Sequence, residues 1–214
     1  MKVIPINFNT EMMDAIIAGR KSQARLLVKP KIVSFIEFIG GSDEENDHFD
    51  FVGLRHGEWE SDDGTVWGPE WLVYCTEYPE EGVVPVGSLY GAIGDQLLAT
   101  DGERNTTIEI AGFRVERLQD ISEQDAIDEG VHSNDDFPTE SHCPKCHGQG
   151  LYQSVGPNLG AVEVDCEECE TAEKRFQHLW QSIYGDESWS SNPWVWVIEF
   201  KVLTTNGVIG EEAA

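Results

Sequence analysis

The sequence is poor in basic residues. It has 14 Lys and Arg against 40 Asp and Glu, which gives a formal net charge of −26 at pH 7. Affinity for nucleic-acid backbones comes mainly from Lys and Arg that displace counterions, and a strongly acidic surface repels phosphate. We therefore expect no non-specific DNA binding, and we expect any nucleic-acid contact to be local or confined to a small ligand such as a nucleoside.

The sequence also lacks long apolar runs. No stretch reaches the roughly 18 apolar residues that indicate a membrane-spanning helix, and the N-terminus lacks the basic-then-apolar layout of a secretion signal. We expect a cytoplasmic protein that does not associate with membranes. A length of 214 residues and a hydrophobic content of 40% are sufficient for one good core and an insertion.

Only one region of the sequence is basic. Residues 1–40 contain six Lys and Arg against three Asp and Glu. Because the rest of the chain is so acidic, this stretch favours a ligand-facing role for Lys21 and Arg25, with a solvated basic edge as the alternative. The acidity as a whole is typical of a highly soluble or salt-adapted protein. A protein that occupies a basic host partner is a further interpretation that rests on charge alone.

Four of the five cysteines form two C-x-x-C pairs. Two such pairs in one short segment fit a tetrahedral thiolate site for zinc, and four protein ligands leave no open position for water or substrate. The sequence therefore predicts a structural Zn²⁺ bound by Cys143, Cys146, Cys166 and Cys169. A redox dithiol is the alternative for either pair. The fifth cysteine, Cys75, follows an apolar run and is predicted to be a buried thiol with no catalytic role.

Hydrophobic periodicity predicts three helices among a larger number of strands. The helices are expected at 10–19, 122–130 and 172–184, with Ser122 as the N-cap of the second. The strands are expected at 26–28, 32–39, 49–54, 66–74, 97–99, 106–118 and 194–200, with an acidic turn at 40–47 and a loop at 79–85. The last strand is apolar nearly throughout, so we expect it to lie centrally with Trp194 and Trp196 packed in the core.

Several separated segments resemble ASCH-domain proteins, particularly those of tailed phages and prophages. They are residues 5–25 with the sequence GRKSQAR at 19–25, residues 90–95, residues 115–130 with VERLQDIS at their start, and NPWVWVIEF at 192–200. They occur in the order typical of the family. Residues 32–88 and 134–172 match less well and look like expansions, the second of them zinc-ribbon-like.

The resemblance implies a fold and a site. ASCH domains have a PUA-like antiparallel β-barrel with flanking helices, an α+β fold that is mainly β, and a cleft that receives RNA or a modified base. A small bacterial ASCH enzyme hydrolyses the acetyl amide of N4-acetylcytidine with a lysine, a threonine and a glutamate. Lys21 and Glu129 take the lysine and glutamate positions here, Ala24 takes the threonine position, and Ser22 is the candidate to supply the missing oxygen.

The resemblance divides the chain into segments. Residues 1–133 would form the first part of the barrel, 134–172 the zinc-binding insertion, 173–205 the last helix and strand, and 206–214 a disordered tail.

The predicted function is binding of RNA or a modified nucleobase or nucleoside. Lys21, Arg25 and Glu129 would line the cleft, and Lys21 is expected to lie outside the core because it follows the end of a helix. The alternative is an amidohydrolase for N4-acetylcytidine-like substrates with Lys21, Ser22 and Glu129 as catalytic residues. A lysine desolvated in a cleft can act as a base, and a nearby carboxylate can carry a proton to the leaving amine.

Overall fold

The structure is a computed structural model that describes residues 4–39, 52–79, 82–131, 143–147, 150–155 and 160–203. The chain divides into two compact units. The first contains Met1–Asn7, Ala24–Glu116 and Trp194–Ala214, and the second contains Phe8–Gln23 and Arg117–Pro193. The predicted segment bounds stay a prediction, and the predicted tail and the turn at 40–47 lie outside the described residues.

Strands outnumber helices, and the expected α+β, mainly β class is confirmed. The strands are β1 (Ile4–Asn7), β2 (Gln23–Leu27), β3 (Val52–Glu60), β4 (Val66–Cys75), β5 (Val83–Gly87), β6 (Gln96–Thr100), β7 (Asn105–Arg117), β8 (Leu151–Val155), β9 (Ala161–Asp165) and β10 (Trp194–Val202). The helices are α1 (Thr10–Ile17), α2 (Pro30–Ile39), α3 (Glu123–Asp128), α4 (Ala172–Tyr184) and α5 (Glu187–Ser190). None of the helices in the described ranges is long and apolar enough to cross a membrane.

The first unit is built on a curled, half-barrel sheet with the strand order β1-β6-β7-β10-β2. β1 runs parallel to β6, with Ile4 opposite Leu97, whereas β6 and β7 are antiparallel. The order ends at β1 and β2, so the described strands form an open sheet in which β1 and β6 are parallel. Of the expected antiparallel barrel, the structure shows a curled, half-barrel sheet.

β10 lies between β7 and β2 and is buried over most of its length, which confirms the predicted central strand. Trp194 and Trp196 belong to a core cluster with Val28, Ile36 and Val73, and the ring of Phe113 lies 5.8 Å from that of Trp196. The two tryptophans therefore pack in the core, as predicted. A strand covered on both faces needs apolar side chains at successive positions, which explains the run WVWVI.

Two elements differ from their predictions. Residues 32–39 form the end of helix α2 and not a strand, because Pro30 suits a first helical turn and Ile32, Val33 and Ile36 share one face against the core. The predicted loop at 79–85 contains the start of β5, which pairs only with β4 in the sheet β3-β4-β5. An edge strand of this kind tolerates Pro85 because its free side needs no N–H donor.

The second unit is mainly helical. Helix α1 begins after Asn9, whose side chain accepts a hydrogen bond of 2.7 Å from Met12 N, and α3 begins after Ser122, which caps Asp125 N as predicted. Helix α4 has the predicted bounds and buries Phe176, Leu179 and Trp180. Strands β8 and β9 form an antiparallel hairpin.

Candidate metal centre and buried ion pairs

The four clustered cysteines lie at the base of the β8–β9 hairpin in the second unit. Cys143 and Cys146 occupy a turn that precedes β8, and Cys166 and Cys169 flank a short 3-10 helix that follows β9. Cys166 N donates to Gly150 O at 2.6 Å, which closes the hairpin base. Pairing of the two strands therefore brings the two C-x-x-C turns together across the sequence.

The sulfur atoms have the separation that a metal requires. All four lie within 4.8 Å of one another, with 3.8 Å between Cys143 Sγ and Cys166 Sγ and 3.6 Å between Cys146 Sγ and Cys169 Sγ. Zn–S bonds of about 2.3 Å in a tetrahedron separate the sulfurs by roughly 3.8 Å. The cysteines are free thiols and not disulfides. The cluster can therefore hold a metal ion such as zinc.

The surroundings of the sulfurs are closed. Each of the four cysteines is at most 4% exposed. Burial is the largest effect on Cys166 and Cys169, and it raises the pKa of both thiols. At Cys146 burial acts in the same direction but is outweighed by hydrogen bonds, first from the Gly150 backbone, so its pKa is lowered. A divalent cation would supply the positive charge that several adjacent thiolates need.

Lys21 and Glu129 meet in the interior of the second unit. Lys21 Nζ donates to the Glu129 carboxylate and, at 3.0 Å, to the Glu129 backbone carbonyl. The two residues are 1% and 3% exposed. The structure thus brings together two of the predicted site residues, although 108 positions separate them.

The local chain directs both residues to the same place. Gly19 has a φ of 71° at the end of α1, and Lys21 N then donates to Ala15 O at 3.1 Å. Gly130 follows Glu129 with a φ of 98°, and a Cβ there would lie 3.3 Å from Lys21 Cβ. Glycine at 130 permits both the backbone conformation and the close approach to Lys21.

A neighbouring contact was not predicted from the sequence. Gln23 is 5% exposed and its Nε2 donates to Asp125 Oδ1 at 2.7 Å. Asp125 and Glu129 are four positions apart on α3 and its C-cap, so they share one face of the helix. The i, i+4 spacing of the acids, together with the i, i+2 spacing of Lys21 and Gln23, was a usable signal for this contact.

The structure places Ser22 beside the end of α3 and Ala24 in β2. Ser22 N donates to Asp128 O at 2.8 Å. In the described residues its hydroxyl makes no hydrogen bond to Lys21 or Glu129. Ala24 is 3% exposed in β2 and carries no oxygen on its side chain.

Arg25 belongs to the first unit and has a different carboxylate partner. Its guanidinium side chain is fully buried, and Nη2 donates to Glu116 Oε1 at 2.6 Å. The other oxygen of Glu116 accepts from Arg114 at 2.8 Å, and Arg114 also donates to Glu199 at 2.5 Å. Arg25 is therefore part of a charge network on β2, β7 and β10.

Cys75, which was predicted to be buried, is only half-buried at the end of β4.

No protein-family model matches the chain, and neither a curated protein nor a solved structure shows significant similarity to it.

Proposed function

We propose that this chain is an ASCH-type, PUA-like protein that binds a nucleobase or nucleoside, or a short RNA element that presents one, beside Lys21 and Glu129. The observation that carries the proposal is the buried pair of these two residues. Removing two charges from water costs several kcal/mol per ion, and an apolar pair of similar volume is often as stable or more stable. A buried lysine–carboxylate pair is thus better explained by a functional need than by stability.

The donors of Lys21 support a binding role. An ammonium group has three N–H donors, and those of Lys21 have two acceptors among the described residues, both on Glu129. One donor therefore remains for a ligand oxygen such as a pyrimidine carbonyl. A local contact of this type also suits a chain whose net charge of −26 opposes extended contact with phosphates.

The second candidate is an amidohydrolase for N4-acetylcytidine-like substrates, and the position of Ala24 argues against it. Loss of a group that forms a covalent intermediate removes most of the rate. The Ala24→Thr variant tests this candidate directly. If the site is an amidohydrolase cleft without its nucleophile, the variant should hydrolyse N4-acetylcytidine and the native protein should not.

We also propose that the four cysteines bind one structural zinc. Four thiolates match the soft-ligand preference of zinc and leave no coordination position for a substrate.

Titration calorimetry tests the binding function. The titrants are cytidine, N4-acetylcytidine, uridine, adenosine, guanosine and a single-stranded RNA of mixed sequence. Native protein should bind at least one of them saturably, and Lys21→Met should abolish that binding. Lys174→Met is the matched control, because Lys174 also donates to a carboxylate and a backbone carbonyl but is exposed.

The double variant Lys21→Met/Glu129→Met separates folding from binding. It removes both buried charges, so it should fold while still failing to bind. Native protein that binds none of the titrants, or a double variant that binds as well as native protein, would refute the proposal. Turnover of N4-acetylcytidine by native protein would establish the enzyme in its place.

A further inference from the structure

The distal part of the β3–β4 hairpin, in the first unit, carries two tryptophans on its surface. Trp59 and Trp67 are directly opposite each other in the ladder, and their rings stack with centroids 6.4 Å apart and planes 21° apart. Trp67 is 53% exposed and the adjacent Val66 is 61% exposed. Trp59 is half-buried, so the stacked pair presents its apolar surface mainly through Trp67 and Val66, and apolar surface of this kind can mark a binding site.

Hydrogen bonds fix the orientation of both indoles. Trp59 Nε1 donates to Glu70 Oε1 at 2.7 Å, and Trp67 Nε1 donates to Ser61 Oγ at 3.3 Å. Both polar N–H groups are therefore occupied within the hairpin. What the pair offers to a ligand is the electron-rich faces of its rings, which attract cations.

The cleft that Trp59 lines is acidic. It has a volume of about 550 Å³, and among the described residues its walls include Glu58, Glu60 and Asp62 and one cation, Arg55. In the adjoining turn, hydrogen bonds from Ser61 and then Thr65 lower the pKa of Asp63 below its ordinary value of 3.8, and its carboxylate adds negative charge beside the cleft. The ring of Trp59 and these carboxylates thus line one cleft, and Trp67 stacks on Trp59 without lining the cleft.

We propose that this tryptophan–carboxylate cleft binds an arginine side chain in a basic segment of a partner protein. A guanidinium is planar and weakly hydrated, so it can stack on an indole while its edge N–H groups donate to carboxylates. The same carboxylates would repel a phosphate, a nucleic acid or an anionic lipid surface. The proposal is independent of the nucleoside site, because it rests on other residues of the other structural unit.

The probe is a fluorescein-labelled peptide of alternating arginine and glycine residues, with binding followed by fluorescence anisotropy. The matched probe replaces each arginine by citrulline, which has nearly the same shape and no charge. Native protein should bind the arginine peptide saturably and the citrulline peptide at least tenfold more weakly. Binding should weaken as salt is raised, because exposed charges are screened over about 8 Å at physiological ionic strength.

Variants on the hairpin should change affinity in opposite directions. Trp59→Ala should weaken binding about fivefold through loss of a cation–π contact, and Glu58→Gln/Glu60→Gln should weaken it further. Arg55→Ala should strengthen binding by roughly twofold, because it removes the like charge from the cleft. Glu163→Gln, an exposed acid on β9, is the control for net charge and should have no effect.

Circular dichroism and melting curves establish that each variant is folded. The proposal is overturned if the citrulline peptide binds as tightly as the arginine peptide. It is also overturned if Glu163→Gln weakens binding as much as the hairpin acids do, since the attraction would then be a property of total charge. Failure of nucleoside binding at Lys21 would leave these outcomes unchanged.

Discussion

A buried ammonium group destabilises a protein unless its partners replace the water that it has lost. Lys21 has such a partner in Glu129, so the two residues are energetically coupled. We expect Lys21→Ala to lower the free energy of unfolding by about 3–5 kcal/mol, because it leaves the Glu129 carboxylate buried without its counter-charge. The Lys21→Met/Glu129→Met variant should recover most of that loss.

Urea denaturation of the three proteins measures this coupling. If Lys21→Ala is as stable as native protein, the pair is solvated in solution and the buried geometry is wrong.

The sequence led us to expect that Lys21 lies outside the core, and this was wrong. A position just past a helix end is usually exposed, but the chain of the second unit folds back so that Ala15, Lys21 and Gly130 come into close contact.

Among the elements, the β8–β9 hairpin adjoins the four-cysteine cluster and should depend on the zinc that we propose binds there. Short two-stranded hairpins are marginal in water, so the stability of this one must come from elsewhere. We expect purified protein to contain about one zinc and to lose it in Cys166→Ser, whereas Cys75→Ser should retain it. Metal analysis and amide hydrogen exchange at residues 151–155 and 161–165 should show loss of zinc together with loss of protection.

Acid should have the same effect as a chelator, because thiolate ligands must be deprotonated to bind zinc. A native protein with less than about half an equivalent of zinc, or a hairpin whose exchange is insensitive to chelators, would contradict the structural role. The first unit should keep its fold after metal is removed.

The turn between β6 and β7 provides a pH prediction. Hydrogen bonds from the Arg104 backbone, and then from its side chain and from Glu103 N, lower the pKa of Asp101 below its ordinary value of 3.8. A carboxylate whose pKa is depressed in the folded state stabilises the protein at pH values above the pKa of the unfolded state. That stabilisation is lost as the pH falls through the pKa of the folded state. Native protein should therefore melt at a higher temperature than Asp101→Asn near neutral pH.

The difference between native protein and Asp101→Asn should disappear as pH falls below 3.8. Glu103→Gln is the control, since Glu103 contributes only its backbone N–H to the turn. A difference that persists unchanged in acid would mean that the substitution acts through something other than the charge of Asp101.

At the scale of the whole molecule, a net charge of −26 produces self-repulsion in the compact state. Salt screens this repulsion, so the melting temperature should rise between low and physiological ionic strength. A rise of about 2–4 °C would correspond to roughly 1 kcal/mol for a protein of this size. Sodium chloride and potassium chloride should act alike, and a melting temperature that is independent of both would show that the acids are too widely spread to destabilise the fold.

Much of the architecture was predictable from local patterns. Helix α4 matched its prediction because its apolar residues follow the helical period, and the central strand β10 matched because it is apolar nearly throughout. Helix α2 did not, because a short apolar run fits a strand and a buried helix equally well, and the choice depends on what it packs against. The parallel placement of β1 beside β6 was also unpredictable, because pairing between distant strands is not encoded in either strand alone.

The sequence by itself determined which four cysteines form the cluster that could hold a metal, and the acidity of the chain. Two C-x-x-C pairs specify their chemistry through residue type and short spacing, and charge is a sum over residues. Only the tertiary structure decided that Lys21 is buried against Glu129, that Arg25 pairs with Glu116, and that Trp59 and Trp67 stack beside an acidic cleft. These contacts depend on burial and on the register of strands, which arise when distant segments pack together and which no local pattern records.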